Sequence, residues 1–329
     1  MKVLCVLNPH AAGGLAMDTW PAVSSLLNRL GVSYELLAAA HDVPLADQLC
    51  AALERLPDIG AVTGIGGDGT HFAAINGLMQ FRRRHPDKPL PPYAFIAVGT
   101  GNDIAKSLGI RLGDALSGRE LRRAVSTIVH GADYRLDVGI INGLYFADAL
   151  TVGLDSAILK ERNAGKRLLE RIPLLRHLAR GRLLYTLSMG ARFFREPTVR
   201  AEITVDGRAW YAGPVLNVVV NNTRIYAGDF DFSLNAYADD GLLDVALFTG
   251  HTDYLARYLL AIRGNPDRLR ELSEDISKRA QHVQGREIVI RLSQAVQAQV
   301  DGEELPAGDR FEVGVVPRAI LIKTPAEPA

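Results

Sequence analysis

Ala61-Val-Thr-Gly-Ile-Gly-Gly-Asp-Gly-Thr70 decides how the N-terminal part of this chain is read. The apolar and β-branched run to Ile65 predicts a strand, the glycines at 66, 67 and 69 a tight loop, and the residues through Met79 a helix. The same order occurs upstream. Val3-Leu-Cys-Val-Leu7 leads into Asn8-Pro-His-Ala-Ala-Gly-Gly14, then into a stretch with Trp20, Val23, Leu26, Leu27 and Leu30 at helical spacing. A strand over Ser33 to Leu37 feeds a helix around Ala46 to Leu56. Downstream, Tyr93-Ala-Phe-Ile-Ala-Val98 leads into Gly99-Thr-Gly-Asn-Asp103 and a short helix ended by Gly109. Alternating strands and helices predict an open, mostly parallel sheet, whose strand-end loops gather on one edge.

After about residue 135 the pattern changes. Leu136 to Ile141, the hairpin signal Asn142-Gly143 and Leu144 to Val152 read as paired strands. Val199 to Val205, Asp206-Gly207, Arg208 to Gly213 and Val215 to Asn221 continue the antiparallel pattern. Residues 251–277 read as helix, and strands return at Glu287 to Leu292, Val296 to Val300 and Phe311 to Val316. The expected division is an α/β domain over 1–135 and a β-rich domain over 136–318, with the strand Ala319 to Lys323 left open to return to the first domain. The length of 329 residues fits two domains. Thirty-seven Lys and Arg balance 37 Asp and Glu, which argues against a dedicated nucleic-acid binder. Val3 to Leu7 is too short for the apolar core of a signal peptide, and no stretch reaches a membrane span. Cys5 and Cys50 make neither a disulfide framework nor metal-ligand spacing, so a reducing cytosol is expected.

Phosphate is bound where several backbone N–H groups converge with no side chain in the way, and glycine permits that. Gly66, Gly67 and Gly69 stand between a strand and a helix N-terminus, a place suited to a nucleotide's phosphates. A methyl group at Gly67 is expected to intrude on backbone that approaches phosphate or adopts positive φ. Asp68 either caps the helix or holds a cation, orders the loop or accepts a proton. The loops lack the Gly-Lys-Ser/Thr ending of a P-loop, so the cradle is of another kind.

Gly66-Gly-Asp-Gly-Thr70, Asn76-Gly77 and Gly99-Thr-Gly-Asn-Asp103 together resemble the nucleotide-binding half of the soluble diacylglycerol kinase family, relatives of sphingosine kinases and, more distantly, NAD kinases. Gly153-Leu-Asp-Ser156, Asn221-Asn222 to Gly228, Asp239-Asp-Gly-Leu-Leu-Asp-Val245 and Asp301-Gly-Glu303 resemble that family's second-domain signatures in the same order. The resemblance implies a Rossmann-like α/β domain followed by a β-sandwich, with ATP and a lipid alcohol meeting in the cleft between them. Diacylglycerol is the leading acceptor and phosphatidic acid the product. A sphingoid-base kinase, an NAD kinase and a non-catalytic lipid or nucleotide sensor are the alternatives. Phe72 and Ala73 stand where the family commonly carries Asn-Glu, and Ala40 where a Thr or Ser often contacts ATP.

By the same resemblance Asn8, Gly13, Gly14, Gly66, Gly67, Asp68, Gly69, Thr70, Gly99, Thr100, Asn102 and Asp103 hold the nucleotide. Glu303 is the implied base, Asp68 the rival for that role, and Asp301 shares the catalytic turn, although Asp-Gly is by itself an ordinary hairpin dipeptide. Mg²⁺ is implied at Asp240, Tyr237 and Leu242, a set of oxygen ligands such as hard cations prefer. Asp155 and Asn222 are assigned to substrate. His71 is read as a helix cap, and no His is assigned to a metal. Residues 160–182 carry eight basic residues against two acidic ones, with Leu168, Ile172, Leu175 and Leu178 interleaved. That stretch reads either as a packed helix or as a peripheral contact with anionic membrane on the inner face. The sequence leaves the oligomeric state, including a homodimer, open.

Overall fold

The computed structural model describes residues 1–99, 101–110, 118–170, 190, 192–226, 230–231, 236–262 and 282–325. The chain divides into two compact units. The first is Met1–Ala147 with Ala238–Gly241 and Val316–Ala329; the second is Asp148–Tyr237 with Leu242–Val315. The first thus runs past the expected change at residue 135 and takes in two later pieces of chain.

The first unit contains β1 (Lys2–Leu7), α1 (Leu15–Arg29), β2 (Ser33–Ala38), α2 (Leu45–Arg55), β3 (Ile59–Gly66), α3 (Asp68–Arg84), β4 (Tyr93–Ala97), α4 (Asp103–Ser107), α5 (Gly118–His130), β5 (Ala132–Ile141) and β6 (Leu144–Phe146). Its parallel strands run in the order β2-β1-β3-β4, and Ile322 and Lys323 pair parallel with Tyr93 and Ala94 beyond β4. Alternation along each strand fills both faces. Leu4, Val6, Val62, Tyr93 and Phe95 pack with residues of α2 and α3. Val3, Cys5, Leu7, Ile65, Ala94 and Ile96 pack with residues of α1 and α5. Gly77 lets α3 approach α2, because a Cβ there would lie 2.7 Å from the Ala46 carbonyl. Asn142 and Gly143, both at positive φ, turn β5 into β6 as the hairpin signal predicts.

The second unit contains β7 (Ala149–Gly153), α6 (Leu154–Glu170), β8 (Val199–Val205), β9 (Arg208–Val215), β10 (Asn217–Asn221), β11 (Ile225–Tyr226), β12 (Phe230–Asp231), β13 (Leu243–Phe248), α7 (His251–Ile262), β14 (His282–Gly285), β15 (Glu287–Val300) and the start of β16 (Glu303–Thr324). Pairing is antiparallel throughout. The expected strands at Glu287 and Val296 are one strand with irregular register between Arg291 and Ala298. The first half of β15 pairs with β8 and the second half with β7. Likewise Leu144 to Val152 is not continuous: β6 ends at Phe146, β7 begins at Ala149, and the chain changes units between them. The expected helix 251–277 is described as far as Ile262; its remainder lies outside the described residues.

Candidate functional site

In the first unit the loops after β1, β3 and β4 leave adjacent parallel strands at the same edge. Each is tied to its neighbour. The Asn8 N–H donates to the Ile65 carbonyl (3.3 Å), and the Val98 N–H to that of Gly66 (2.6 Å). The first loop folds on itself: Asn8 Oδ1 accepts from the His10 N–H (3.1 Å), and Gly13 and Gly14 take φ of 70° and 102° to start α1. The second loop ends at Gly67, whose carbonyl accepts from the Thr70 and His71 N–H groups. That leaves the N–H of exposed Gly69 among the unsatisfied donors of a 17-residue helix, beside the positive end of its dipole.

Asp68 joins the second loop to the third. Its Oδ2 accepts from the Asn102 N–H (2.8 Å) and its Oδ1 from the Asp103 N–H (3.1 Å). Burial pushes its carboxyl above the usual range, opposed by these backbone donors and by Lys106. Asn102, left-handed at φ 55°, donates from Nδ2 to the Gly99 carbonyl (2.9 Å). Thr100 lies outside the described residues. The glycines differ in what holds them. A Cβ on Gly99 would lie 2.9 Å from the Gly67 Cα and 2.7 Å from Asn102 Oδ1, and one on Gly66 would strike Thr70. Gly67 is another matter. Its φ is −91° and a Cβ would meet the Gly99 Cα at an ordinary 3.6 Å, so neither positive φ nor protein crowding requires glycine there. Asn76 bridges α3 to β6, exchanging hydrogen bonds with the Tyr145 backbone (2.8 and 2.9 Å). His71 does not cap α3: it is buried, its Nδ1 2.7 Å from the Tyr93 hydroxyl, and burial lowers its pKa to about 4.

The acidic loop is held by Asp137, a residue the sequence reading passed over. Its carboxylate accepts from the N–H groups of Gly241 (2.5 Å) and Arg318 (2.6 Å), and its own N–H donates to the Ala238 carbonyl (2.7 Å). An aspartate inside the apolar run of β5 was the available signal. Gly241 sits at φ 76°, while Asp239 and Asp240 are exposed. Burial raises the Asp137 carboxyl, as does the charge of Asp239. The Tyr134 hydroxyl is raised chiefly by burial, with the charges of Asp239, Asp137 and Asp240 adding to it. A concentration of negative charge suits a hard cation, and Asp240, one of the three implied ligands, contributes to it. Of the other two implied ligands, Tyr237 is exposed and Leu242 half-buried; both belong to the second unit. Among the described residues no group of three or more His, Cys, Asp or Glu side chains forms a metal cluster.

In the second unit Asp301 and Gly302, at φ 47° and 83°, make the tight turn from β15 to β16. Asp301 Oδ1 accepts from both the Asp148 and Ala149 N–H groups (3.0 Å each), and Gln299 Oε1 accepts from Gly302 (2.8 Å). Glu303 follows with an exposed side chain. Partial desolvation and the neighbouring Glu304 raise its carboxyl pKa, against the pull of Arg162. Asp155, buried in the first turn of α6, accepts from Asn217 Nδ2 (2.6 Å) and the Tyr254 hydroxyl. Asn222 is buried, its N–H donating to the Asp148 carbonyl (2.7 Å), and Thr223 bonds the Asp148 carboxylate. These two implied substrate residues therefore sit inside a hydrogen-bonded framework. The described part of the basic stretch, through Glu170, belongs to α6. There Lys160 donates to Gln297 (2.9 Å), Asn163 to Glu304 (2.8 Å), and Arg167 pairs with Glu304 (3.9 Å). Residues 171–182 and Gly228 lie outside the described residues.

A parallel sheet with glycine loops at its carboxyl edge, continued by an antiparallel β-rich unit carrying its own acidic turns, defines a two-domain kinase class. The diacylglycerol kinase catalytic domain family matches residues 2–141, and the YegS C-terminal NAD kinase beta sandwich-like domain family matches residues 170–324. The chain belongs to the lipid kinase family that joins these two domains, an N-terminal α/β domain followed by a β-sandwich. A protein of Shewanella frigidimarina described as "Probable lipid kinase YegS-like" is 28% identical over 85% of this chain and 82% of its own length. The diacylglycerol kinase of Mycobacterium tuberculosis is 27% identical over 98% of this chain and 95% of its own. A crystal structure of a diacylglycerol kinase from Bacillus anthracis superposes with a TM-score of 0.69 at 20% identity, covering 99% and 98% of the two chains. An NAD kinase from Archaeoglobus fulgidus in complex with ATP shares the fold more loosely, with a TM-score of 0.51 at 12% identity, covering 99% and 94%.

Proposed function

We propose that the protein transfers the γ-phosphoryl group of ATP to a lipid hydroxyl, with diacylglycerol the acceptor and phosphatidic acid the product. The observation that carries this reading is the Asp68 tie, which fixes the GGDGT and GTGND loops together beside the exposed Gly69 donor. Fixed N–H groups at a helix start suit a polyphosphate, and membership in a kinase family supplies the donor class. ATP is held by Asn8, Gly13, Gly14, Gly66 to Thr70, Gly99, Thr100, Asn102 and Asp103. Mg²⁺, when bound, neutralises charge at the transferring phosphate. Asp240 and the backbone at Tyr237 and Leu242 hold a further, structural cation.

Glu303 is the general base. Its raised carboxyl is a better proton acceptor than an ordinary glutamate, and among the described residues no hydrogen bond occupies it. Asp68 organises the loops, since both its oxygens already accept backbone N–H groups. Asp301 holds the turn that presents Glu303, while Asp155 and Asn222 brace the substrate-bearing unit. As the acceptor oxygen bonds to phosphorus, the phosphorus bond to the leaving ADP oxygen breaks and the hydroxyl proton passes to Glu303. Peripheral contact with anionic lipid is part of this reading. Leu168 and Phe194, 62% and 85% exposed, offer apolar side chains among Lys166, Arg167 and Arg195. No described helix is long and apolar enough to cross a membrane.

The test is γ-labelled ATP offered with diacylglycerol, sphingoid bases, other lipid alcohols and NAD, followed by chromatography. Labelled phosphatidic acid is expected. Label in a sphingoid phosphate or in NADP alone moves the acceptor, and no labelled product in any arm overturns the reading in favour of a sensor.

A further inference from the structure

Two imidazoles meet at the phosphate-loop edge of the first unit, and nothing in the phosphoryl-transfer chemistry uses them. Because β1 and β2 are parallel neighbours with Leu7 opposite Ala38, the segments leaving their carboxyl ends run side by side. His10, in the first loop, and His41, just past β2, face each other there. Their Nε2 atoms are 2.8 Å apart and their ring centroids 4.5 Å apart, and both residues are exposed. Neither backbone is loose. The His10 N–H is bound to Asn8 Oδ1. Gln48 clasps the segment at His41, accepting from the Ala40 N–H (3.0 Å) and donating to the Ala40 and Val43 carbonyls (3.0 and 2.7 Å).

We propose that His10 and His41 form a two-imidazole binding site for a divalent transition-metal ion of the zinc class, distinct from any Mg²⁺ site. In the hydrogen-bonded pair one Nε2 carries the proton and the other accepts it. Moving that proton to Nδ1 of the donor ring turns both Nε2 lone pairs to a shared ion, with no net proton release. Two Zn–N bonds of about 2.0–2.1 Å at a tetrahedral angle place the nitrogens about 3.3 Å apart. The pair must open by roughly half an ångström, which exposed rings can do. Imidazole nitrogen suits Zn²⁺, Co²⁺ and Ni²⁺, whereas Mg²⁺ prefers oxygen, so the site sorts metals by chemistry. No third His, Cys, Asp or Glu among the described residues completes the set, so the remaining positions take water or an oxygen of a bound phosphate. A bound ion would pin the first loop, three residues before Gly13, to the chain after β2. The site stands whether or not the acceptor is a lipid.

Titrating the full chain with zinc chloride in buffer containing millimolar Mg²⁺, by calorimetry, tests it. One equivalent should bind, and His10→Ala and His41→Ala should each weaken it at least tenfold while leaving the thermal midpoint within a degree or two. The His85 to Glu54 pair (3.1 Å) and the His282 to Asp244 pair (2.7 Å) are the competing places. Binding that survives either alanine variant puts the ion on one of those and overturns the proposal. So does displacement by Mg²⁺, and so does the absence of zinc binding, which leaves the two rings as a plain hydrogen bond.

Discussion

Asp68 in the first unit and Asp301 in the second each receive two consecutive backbone N–H groups from a distant stretch of chain, Asn102–Asp103 and Asp148–Ala149. They differ in how. Asp68 spends both oxygens, one per donor, and joins two glycine loops. Asp301 takes both donors on Oδ1 and fastens a hairpin whose next side chain, Glu303, is exposed. A carboxylate committed at both oxygens to neutral donors is a fastener first. One that holds a turn leaves its neighbour to do chemistry, and that argues for Glu303 over Asp68 as the base.

The largest effect should fall on Glu303. Glu303→Gln should cut turnover by about 10²–10⁴-fold with unchanged stability, the range for loss of a general base. Steady-state kinetics at saturating lipid checks this, and near-normal turnover would return the role to Asp68. Asp68→Asn should instead weaken nucleotide binding and cost about 1–3 kcal/mol, because its amide NH₂ is turned against a backbone N–H. Asp301→Asn should cost much less, since the amide oxygen alone can serve both donors. Urea midpoints of the two variants separate them, and equal losses would erase the distinction drawn between the aspartates.

Along the glycine-loop edge, Gly99→Ala should destabilise by about 1–3 kcal/mol through overpacking against Gly67 and Asn102, whereas Gly67→Ala should leave stability unchanged. Nucleotide titration of folded Gly67→Ala then reports on ligand approach alone; unaltered affinity would mean that phosphate does not come within reach of that carbon. The subtlest effect is on pH. A base must be ionised, so the raised Glu303 pKa places the acid limb of kcat/KM above the ordinary glutamate value of about 4.3. Arg162 pulls that pKa down, so Arg162→Ala should move the limb to higher pH. A limb that stays in place would show that another group sets it.

The parallel half of the molecule was legible because its signals are local: five to eight apolar residues, a glycine loop, a helical period. The family was legible from the order of motifs. What escaped depends on partners far along the chain. His71 follows the glycine loop like a cap but pairs with Tyr93, and Asp137 is explained only by Gly241 and Arg318. Polar residues such as Ser293 and Gln294 broke the β15 pattern in two, yet pairing with different strands at its two ends keeps it a single strand. At Gly67 the φ of −91° removes one of the two expected reasons for glycine, positive φ, which a sequence does not assign among clustered glycines; the approach of phosphate is what the titration reads.

The return of Val316–Thr324 to the first unit has a consequence for the order of synthesis. A ribosome delivers β1 to β6 early, but the strand that flanks β4 and carries buried Ile320 and Ile322 emerges only after the whole second unit. Burying two such side chains contributes roughly 3–6 kcal/mol, a large part of what holds a domain of this size together. Until residues 316–324 arrive, the nascent first unit carries an unpaired, apolar β4 edge, the kind of surface that chaperones shield and that aggregates when left bare. A polypeptide cut at residue 141 would keep that edge for good, so the nucleotide-binding half is not separable by shortening the chain from its C-terminus.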